Sequence, residues 1–294
     1  MTGPRPNFLR VSPEKTKRMP FPNPPPPLNN HILCLGDSIT QLAWGSNSTG
    51  WMTLLQDYFN GKDGNDYFTF INRGFSGYSS KHAVKYVLPE LDKSLRNFDD
   101  SLGELDWTSK TCSSQDNQNV CSNPNPNQNL PKNLIKFATI FYGANDSVLK
   151  SCQDNKQHVP IQTFKNNLKK FINHFNQPNI YKNLQKIVLI TLPKYDYENW
   201  KVVTKEKYNL EEFPESKRSN ENSRLYRDAV FEIKEEYEKI EKTENSENLK
   251  FTLEIADMFT ALENVDNFES YLVDGLHFNE KGNYLLFELL KSHF

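Results

Sequence analysis

The chain reads as an α/β protein built on a parallel sheet with helices over both faces. Two features predict this. Short apolar runs alternate with longer stretches of helical period five times along the 294 residues. The apolar runs are nearly continuous and do not alternate with polar residues, as strands covered on both faces require. No internal repeat is present.

The elements follow in order from the residue pattern. Residues 1–30 form a proline-rich N-terminal tail ending in FPNPPPPLNN. Four consecutive prolines favour an extended polyproline conformation. The tail is then either a ligand for a proline-recognising module or, more simply, a surface-draped segment. From His31 the texture changes, and residues 31–294 read as one domain. HILCLGDS is a buried strand ending in a Gly-Asp turn. GWMTLLQDYFNG is a helix with Trp51, Leu54, Leu55, Tyr58 and Phe59 on one face. YFTFINRG is the second strand, and SSKHAVKYVLPELDKSL is a helix with Val84, Val87, Leu88 and Leu91 in register. NLIKFATIFYGAND gives the third strand and its exit loop. TFKNNLKKFINHFNQ is a helix directing Phe164, Leu168, Phe171 and Phe175 inward. KIVLITLP is the fourth strand. SRLYRDAVFEIKEEYEKIEK is an amphipathic helix with Leu225, Ala229, Ile233, Tyr237 and Ile240 as its apolar stripe. LKFTLEIADMF is the fifth strand, and GNYLLFELLKSHF closes the chain as a helix.

Two insertions break this rhythm. Residues 97–133 include the polar tract SSQDNQNVCSNPNPNQN, too long for an ordinary connection in an α/β unit. Residues 194–220 follow the fourth strand and carry Tyr195, Tyr197, Trp200, Tyr208 and Phe213. Emerging at the carboxyl end of a parallel strand, this segment is either a lid or wall over a pocket or a plain surface loop.

Composition narrows the partners. Thirty-five basic and 37 acidic residues leave a net charge of -2, with no global attraction to nucleic acid or an anionic membrane. No run reaches the ~20 apolar residues of a membrane helix. The first residues have no apolar centre of the secretory kind, so a cytoplasmic location is expected. Of the four cysteines, Cys34 lies in the first strand and Cys112, Cys121 and Cys152 lie in polar loops. No CxxC pair exists, so a zinc site is not expected. Pairing of Cys112 with Cys121 is open, though a reducing compartment disfavours it.

The candidate functional residues cluster after strands. Ser38, in LGDSIT, stands at the strand–helix corner, where it is either a helix N-cap or a nucleophile near the positive end of the helix. A serine hydroxyl needs a base. His277, in VDGLHFN, has Asp274 three residues upstream, within reach of its Nδ1 if the two share a turn. The same pair could instead cap the last helix. Gly77, in NRGFSGYSS, and Asn145, in YGANDS, follow strands two and three and could donate N–H groups to an oxyanion. Either could equally be a turn residue. Asp37 is read as organising its loop. What separates chemistry from accident is the combination, since four such motifs occur in order and three follow strands one, two and three.

In this combination the chain resembles the SGNH (GDSL-type) hydrolases. GDS, NRGFSG, GAND and DGLH match the four blocks of that family, and the likeness spans residues 31–294. It is closest to the isoamyl acetate-hydrolysing esterase branch, through GDSITQLAW, RGFSGYSS, IFYGANDS, SNENSRLYRDAV and DGLHFNEKG. The resemblance implies a flavodoxin-like three-layer α/β/α fold with five parallel strands in the order 2-1-3-4-5. It implies Ser38 as nucleophile, Asp274 and His277 as orienter and base, and the Ser38 amide, Gly77 and Asn145 as an oxyanion hole, with no cofactor or metal. The implied activity is hydrolysis of short-chain acyl esters, acetates such as isoamyl acetate first. The same triad serves deacetylation and thioester cleavage, and a non-catalytic binding or scaffold protein is the reading from another class. The substrate implied is a small-molecule ester. Oligomeric state, a homodimer included, is open. The tail and the two insertions depart from the family pattern.

Overall fold

The computed structural model describes residues 30–45, 49–61, 68–92, 135–151, 156–177, 181–213, 215–241 and 249–294. The tail up to residue 29, the 97–133 insertion, and Cys112, Cys121 and Cys152 lie outside the described residues. The five apolar runs form β1 (Asn30–Gly36), β2 (Phe68–Gly74), β3 (Ile135–Phe141), β4 (Lys186–Ile190) and β5 (Thr252–Ala256). All pair in parallel, in the order β2-β1-β3-β4-β5. This is the order implied by the resemblance.

Burial follows position in the sheet. β1, β3 and β4 are almost entirely buried, as their unbroken apolar sequence requires. β2 and β5 lie at the sheet's edges and are partly exposed, so burial on both faces holds for the inner strands and not for the outer two.

The helices form two layers. On one side α2 (Trp51–Gly61) packs against the last helix, α8 (Glu280–Leu290). On the other, α3 (Ser80–His82), α4 (Ile161–Phe175) and α6 (Asn220–Glu241) pack in succession. α4 turns Phe164, Leu168, Phe171, Ile172 and Phe175 into the core, each no more than 2 % exposed. Each such side chain contributes roughly 1.5–3 kcal/mol on burial, so the packed stripe holds this helix where intrinsic helicity would not.

Local details depart from the sequence reading. In α6 the buried stripe is Tyr226, Ala229, Val230, Ile233 and the half-buried Tyr237, whereas Leu225 is 52 % exposed. Steps of four residues drift about 40° each on a 3.6-residue helix, so a stripe extrapolated back from Ile233 leaves the core face by Leu225. The side chain of Ile240 lies outside the described set. The helix that begins as α3 passes through a π turn, Ala83–Val87, with the Leu88 N–H bonded to Ala83 O. The ladder shifts there by one residue, just ahead of Pro89, which has no N–H to donate. Two helices were not anticipated: α5 (Tyr197–Tyr208), inside the 194–220 segment, and the short α7 (Met258–Glu263) after β5.

Candidate active site

The parallel strands bring three loops to one edge. Gly36, Gly74 and Phe141, the last residues of β1, β2 and β3, are partners across the sheet, so the loops that follow leave it side by side. Neighbouring strands lie about 4.8 Å apart, which puts residues just beyond them within reach of one another.

From β1 the chain passes to α1 (Ser38–Gln41), whose N-cap is Asp37. The Asp37 carboxylate accepts the Ile39 N–H at 3.0 Å. Burial pushes its pKa up to about 6, against the opposing pull of that bond and of the charges at His277 and Arg218. Ser38 is therefore not the cap, and its side chain is used elsewhere. The Ser38 Oγ lies 2.7 Å from Nε2 of His277. The helix behind Ser38 is a single turn, so the dipole anticipated there is small. What remains at this corner is the N–H of a first helical turn.

Asp274 and His277 come from the loop that ends in α8. Asn279 caps that helix by accepting from the Lys281 and Gly282 N–H groups, so the upstream pair has no capping duty. Asp274 Oδ1 accepts the backbone N–H of Leu276 at 3.1 Å and of His277 at 2.8 Å. Its Oδ2 lies 2.7 Å from His277 Nδ1. Burial raises the Asp274 pKa, but the bonds and charge from His277 outweigh it and hold the group at about 2. An ionised carboxylate only accepts, so Nδ1 carries the hydrogen and Nε2 is left to accept from the Ser38 hydroxyl.

The loops after β2 and β3 meet on the other side. Tyr78 N–H bonds to Phe75 O at 3.1 Å, and Gly77 takes φ +78, the conformation that the third position of a type II turn demands. Asn145 Nδ2 donates to Tyr78 O at 2.9 Å. Its Oδ1 accepts from Gln157 Nε2 at 3.1 Å and from Arg218 Nη2 at 3.2 Å. Both are obligate donors here: Arg218 has no acceptor, and Gln157 Nε2 also donates to Gly77 O at 3.0 Å. The orientation of the Asn145 amide is thus fixed, with one Nδ2 hydrogen bound to Tyr78 O and the other available. Next to it, Asp146 is buried and accepts the Ser80 N–H at 3.0 Å and the Ser80 hydroxyl at 2.5 Å. Burial pushes its pKa up to about 7 despite those bonds.

The residues singled out by sequence fall into two groups: Ser38, His277 and Asp274 are bonded in a chain, whereas Gly77 and Asn145 are linked through Gln157, which donates to both. Sequence reasoning missed Gln157 and Arg218. Gln157 sits in a polar loop without a local signal. Arg218 stands two residues before α6, where a cation opposes the helix dipole. That is the one local hint that it serves something else. Among the described residues no group of three or more His, Cys, Asp or Glu side chains is arranged to hold a metal. No described helix is long and apolar enough to cross a membrane.

A groove of about 560 Å³ has Leu42, Trp44 and Val273 among its walls, while Ser38 and His277 are not part of its lining. Leu42 N–H bonds to Ser38 O and Val273 N–H to His277 O, so the walls continue directly from both residues. A larger hollow of about 640 Å³, lined in part by Gln185, Phe251 and Thr252, lies at the opposite ends of β4 and β5, away from Ser38.

Residues 32–290 match the family model described as GDSL-like Lipase/Acylhydrolase. The isoamyl acetate-hydrolyzing esterase 1 homolog of Homo sapiens is 27% identical over 262 residues, covering 88% of this chain and 79% of that protein. The isoamyl acetate-hydrolyzing esterase of Saccharomyces cerevisiae is 28% identical over 270 residues, covering 88% of this chain and 84% of that protein. Among solved structures, a lipase/acylhydrolase from Enterococcus faecalis superposes with a TM-score of 0.53 at 18% identity, covering 90% of this chain and 94% of that one. An acetyl-xylooligosaccharide esterase mutant from Geobacillus gives 0.52 at 15% identity, covering 90% and 93%. These structures share the fold.

Proposed function

From the premise that this chain belongs to the GDSL-like lipase/acylhydrolase family and is a carboxylic ester hydrolase, we propose that it cleaves short-chain acyl esters through an acyl-enzyme on Ser38. The observation that carries this reading is the continuous chain of short contacts, 2.7 Å from Ser38 Oγ to His277 Nε2 and 2.7 Å from His277 Nδ1 to Asp274 Oδ2.

His277 Nε2 takes the Ser38 proton as Oγ attacks the ester carbonyl carbon. The carbonyl oxygen becomes an oxyanion and is held by the N–H groups of Ser38 and Gly77 and by Asn145 Nδ2. The C–O bond to the alcohol breaks, and the alcohol leaves with the proton from His277. Water, deprotonated by the same Nε2, then attacks the acyl-enzyme. The carboxylic acid is released and Ser38 regains its hydrogen. Asp274 holds the imidazole in the tautomer these steps need, and its pKa of about 2 keeps it ionised throughout the neutral range.

Two observations support a small ester with an apolar part. The first is the name carried by the human and yeast relatives. The second is the groove, in which Leu42 and Val273 stand 58% and 59% exposed. Apolar surface of this kind gains free energy when a hydrocarbon group covers it, at roughly 25 cal/mol per Å².

The test is a substrate panel on purified protein beside Ser38→Ala. It comprises p-nitrophenyl esters of rising acyl length, isoamyl acetate, an acetylated sugar and an acyl thioester. Activity that is highest on acetate esters and vanishes in Ser38→Ala supports the reading. A preference for the sugar or the thioester redirects it to a deacetylase or thioesterase, and equal rates in both proteins overturn it.

A further inference from the structure

Arg218 lies in none of the four blocks, yet its side chain ends on the Asn145 loop. Nε donates to Ala144 O at 3.1 Å and Nη2 to Asn145 Oδ1 at 3.2 Å, so the planar guanidinium grips two consecutive residues. Its own backbone is tied down around it. Leu149 N–H bonds to Lys217 O at 2.8 Å, Asn222 Nδ2 bonds to Ser147 O at 2.5 Å, and Arg218 N–H bonds to Ser216 Oγ at 3.2 Å. Asn220 exchanges two bonds with the Tyr195 backbone, at 2.8 and 3.0 Å, and the guanidinium lies over the Tyr195 ring. At its other end the same segment reaches the base: Asp196 N–H bonds to Gly275 O at 2.9 Å, between Asp274 and His277. Residues 194–220 therefore bridge the loop that holds His277 and the loop that holds Asn145.

We propose that Arg218 is a positioning residue for ester hydrolysis, holding the Asn145 side-chain oxygen so that its amide hydrogen is aimed and polarised toward the substrate oxyanion. This rests on the active-site reading above. A cation bonded to an amide oxygen draws electron density from the nitrogen and makes its N–H a stronger donor. The donor strengthens where it matters, because the substrate oxygen carries full charge only in the transition state. Gln157 also holds Asn145 Oδ1, so loss of Arg218 weakens the donor without releasing the side chain. The effect on turnover is accordingly smaller than that of losing Asn145 itself, and binding of the uncharged ester is little affected.

The experiment is a double-mutant cycle on p-nitrophenyl acetate using Arg218→Gln, Asn145→Ala and the pair. Asn145→Ala is expected to lower kcat by about 10²–10³. Arg218→Gln is expected to lower kcat by about 10–100-fold with KM changed by less than about 3-fold, below the cost of the donor it supports. In the Asn145→Ala background the same substitution is expected to do almost nothing, since its target is gone. Arg218→Lys, which keeps the charge and loses the fork, should recover part of the rate, and it replaces Arg218→Gln in the cycle if that variant does not fold. Equal losses from Arg218→Gln in both backgrounds, or a loss confined to KM, overturn the proposal. Failure of the active-site reading is seen separately, as hydrolysis that survives Ser38→Ala.

Discussion

Replacing Asp274 with asparagine exchanges a single oxygen for an NH₂ and leaves the loop able to keep its shape. Oδ1 can still accept the N–H groups of Leu276 and His277 at 3.1 and 2.8 Å. The new NH₂ then stands 2.7 Å from His277 Nδ1, where Oδ2 had been. Two donors cannot face each other, so Nδ1 must give up its hydrogen and Nε2 must carry one. Nε2 then points a hydrogen at Ser38 Oγ and cannot accept from it. The enzyme must pay to restore the working tautomer before each attack. In a Ser-His-Asp site this substitution lowers kcat by about 10⁴, or about 5.5 kcal/mol of barrier at 1.36 kcal/mol per tenfold change. KM should stay within a few-fold, because Asp274 touches no part of the ester. The assay is steady-state hydrolysis of p-nitrophenyl acetate at neutral pH, with thermal melting to verify folding. A folded Asp274→Asn variant whose kcat lies within tenfold of the parent would refute the reasoning.

Three further outcomes follow from the geometry. Gly275 has φ +85, and a Cβ there would lie 2.2 Å from Asp196 O, so Gly275→Ala should displace the Asp274–His277 loop. It should cost more than the ~1–2 kcal/mol of left-handed backbone alone and abolish most hydrolysis, as read by melting and turnover. Gly77→Ala meets only Gln157 Nε2 at 3.6 Å, so its cost should stay near that backbone figure, and equal losses at the two glycines would contradict this. Asp37 and Asp146 have pKa values raised to about 6 and about 7, so the folded state keeps protons that the unfolded chain releases above about 4. Their stabilising contribution is complete below that and is lost as pH rises through 6 to 7. Asp146→Asn should therefore gain stability relative to the parent as pH rises from 4.5 to 8 in urea denaturation, and a flat or falling difference would contradict the assignment.

The fold was legible because its signals are local. The strands are largely contiguous apolar runs, and the first three end in the Gly, Asp or Asn chemistry of a turn, which is also where Ser38, Gly77 and Asn145 stand. The bland readings of Ser38 and of the Asp274–His277 pair as helix caps could not be dismissed by sequence. The structure gives those duties to Asp37 and Asn279, one residue before Ser38 and two after His277. The misplaced stripe at Leu225 came from extending a four-residue step over too many turns. The π turn at Ala83–Val87 shifts the helical ladder by one residue, a local change that periodicity does not weigh. Arg218 and Gln157 were illegible for a different reason. Arg218 reaches Asn145 across 73 positions and Gln157 reaches Gly77 across 80, and nothing in either neighbourhood announces the partner.

The central claim is that Ser38 forms the covalent intermediate. It is tested most directly by treating the protein with a fluorophosphonate, which reacts with an activated serine hydroxyl, and locating the adduct by peptide mass spectrometry. The account predicts a single adduct on Ser38, formed at a rate that collapses in His277→Ala, and no labelling or ester hydrolysis in Ser38→Ala. An adduct on another residue, or hydrolysis that persists in Ser38→Ala, would contradict it.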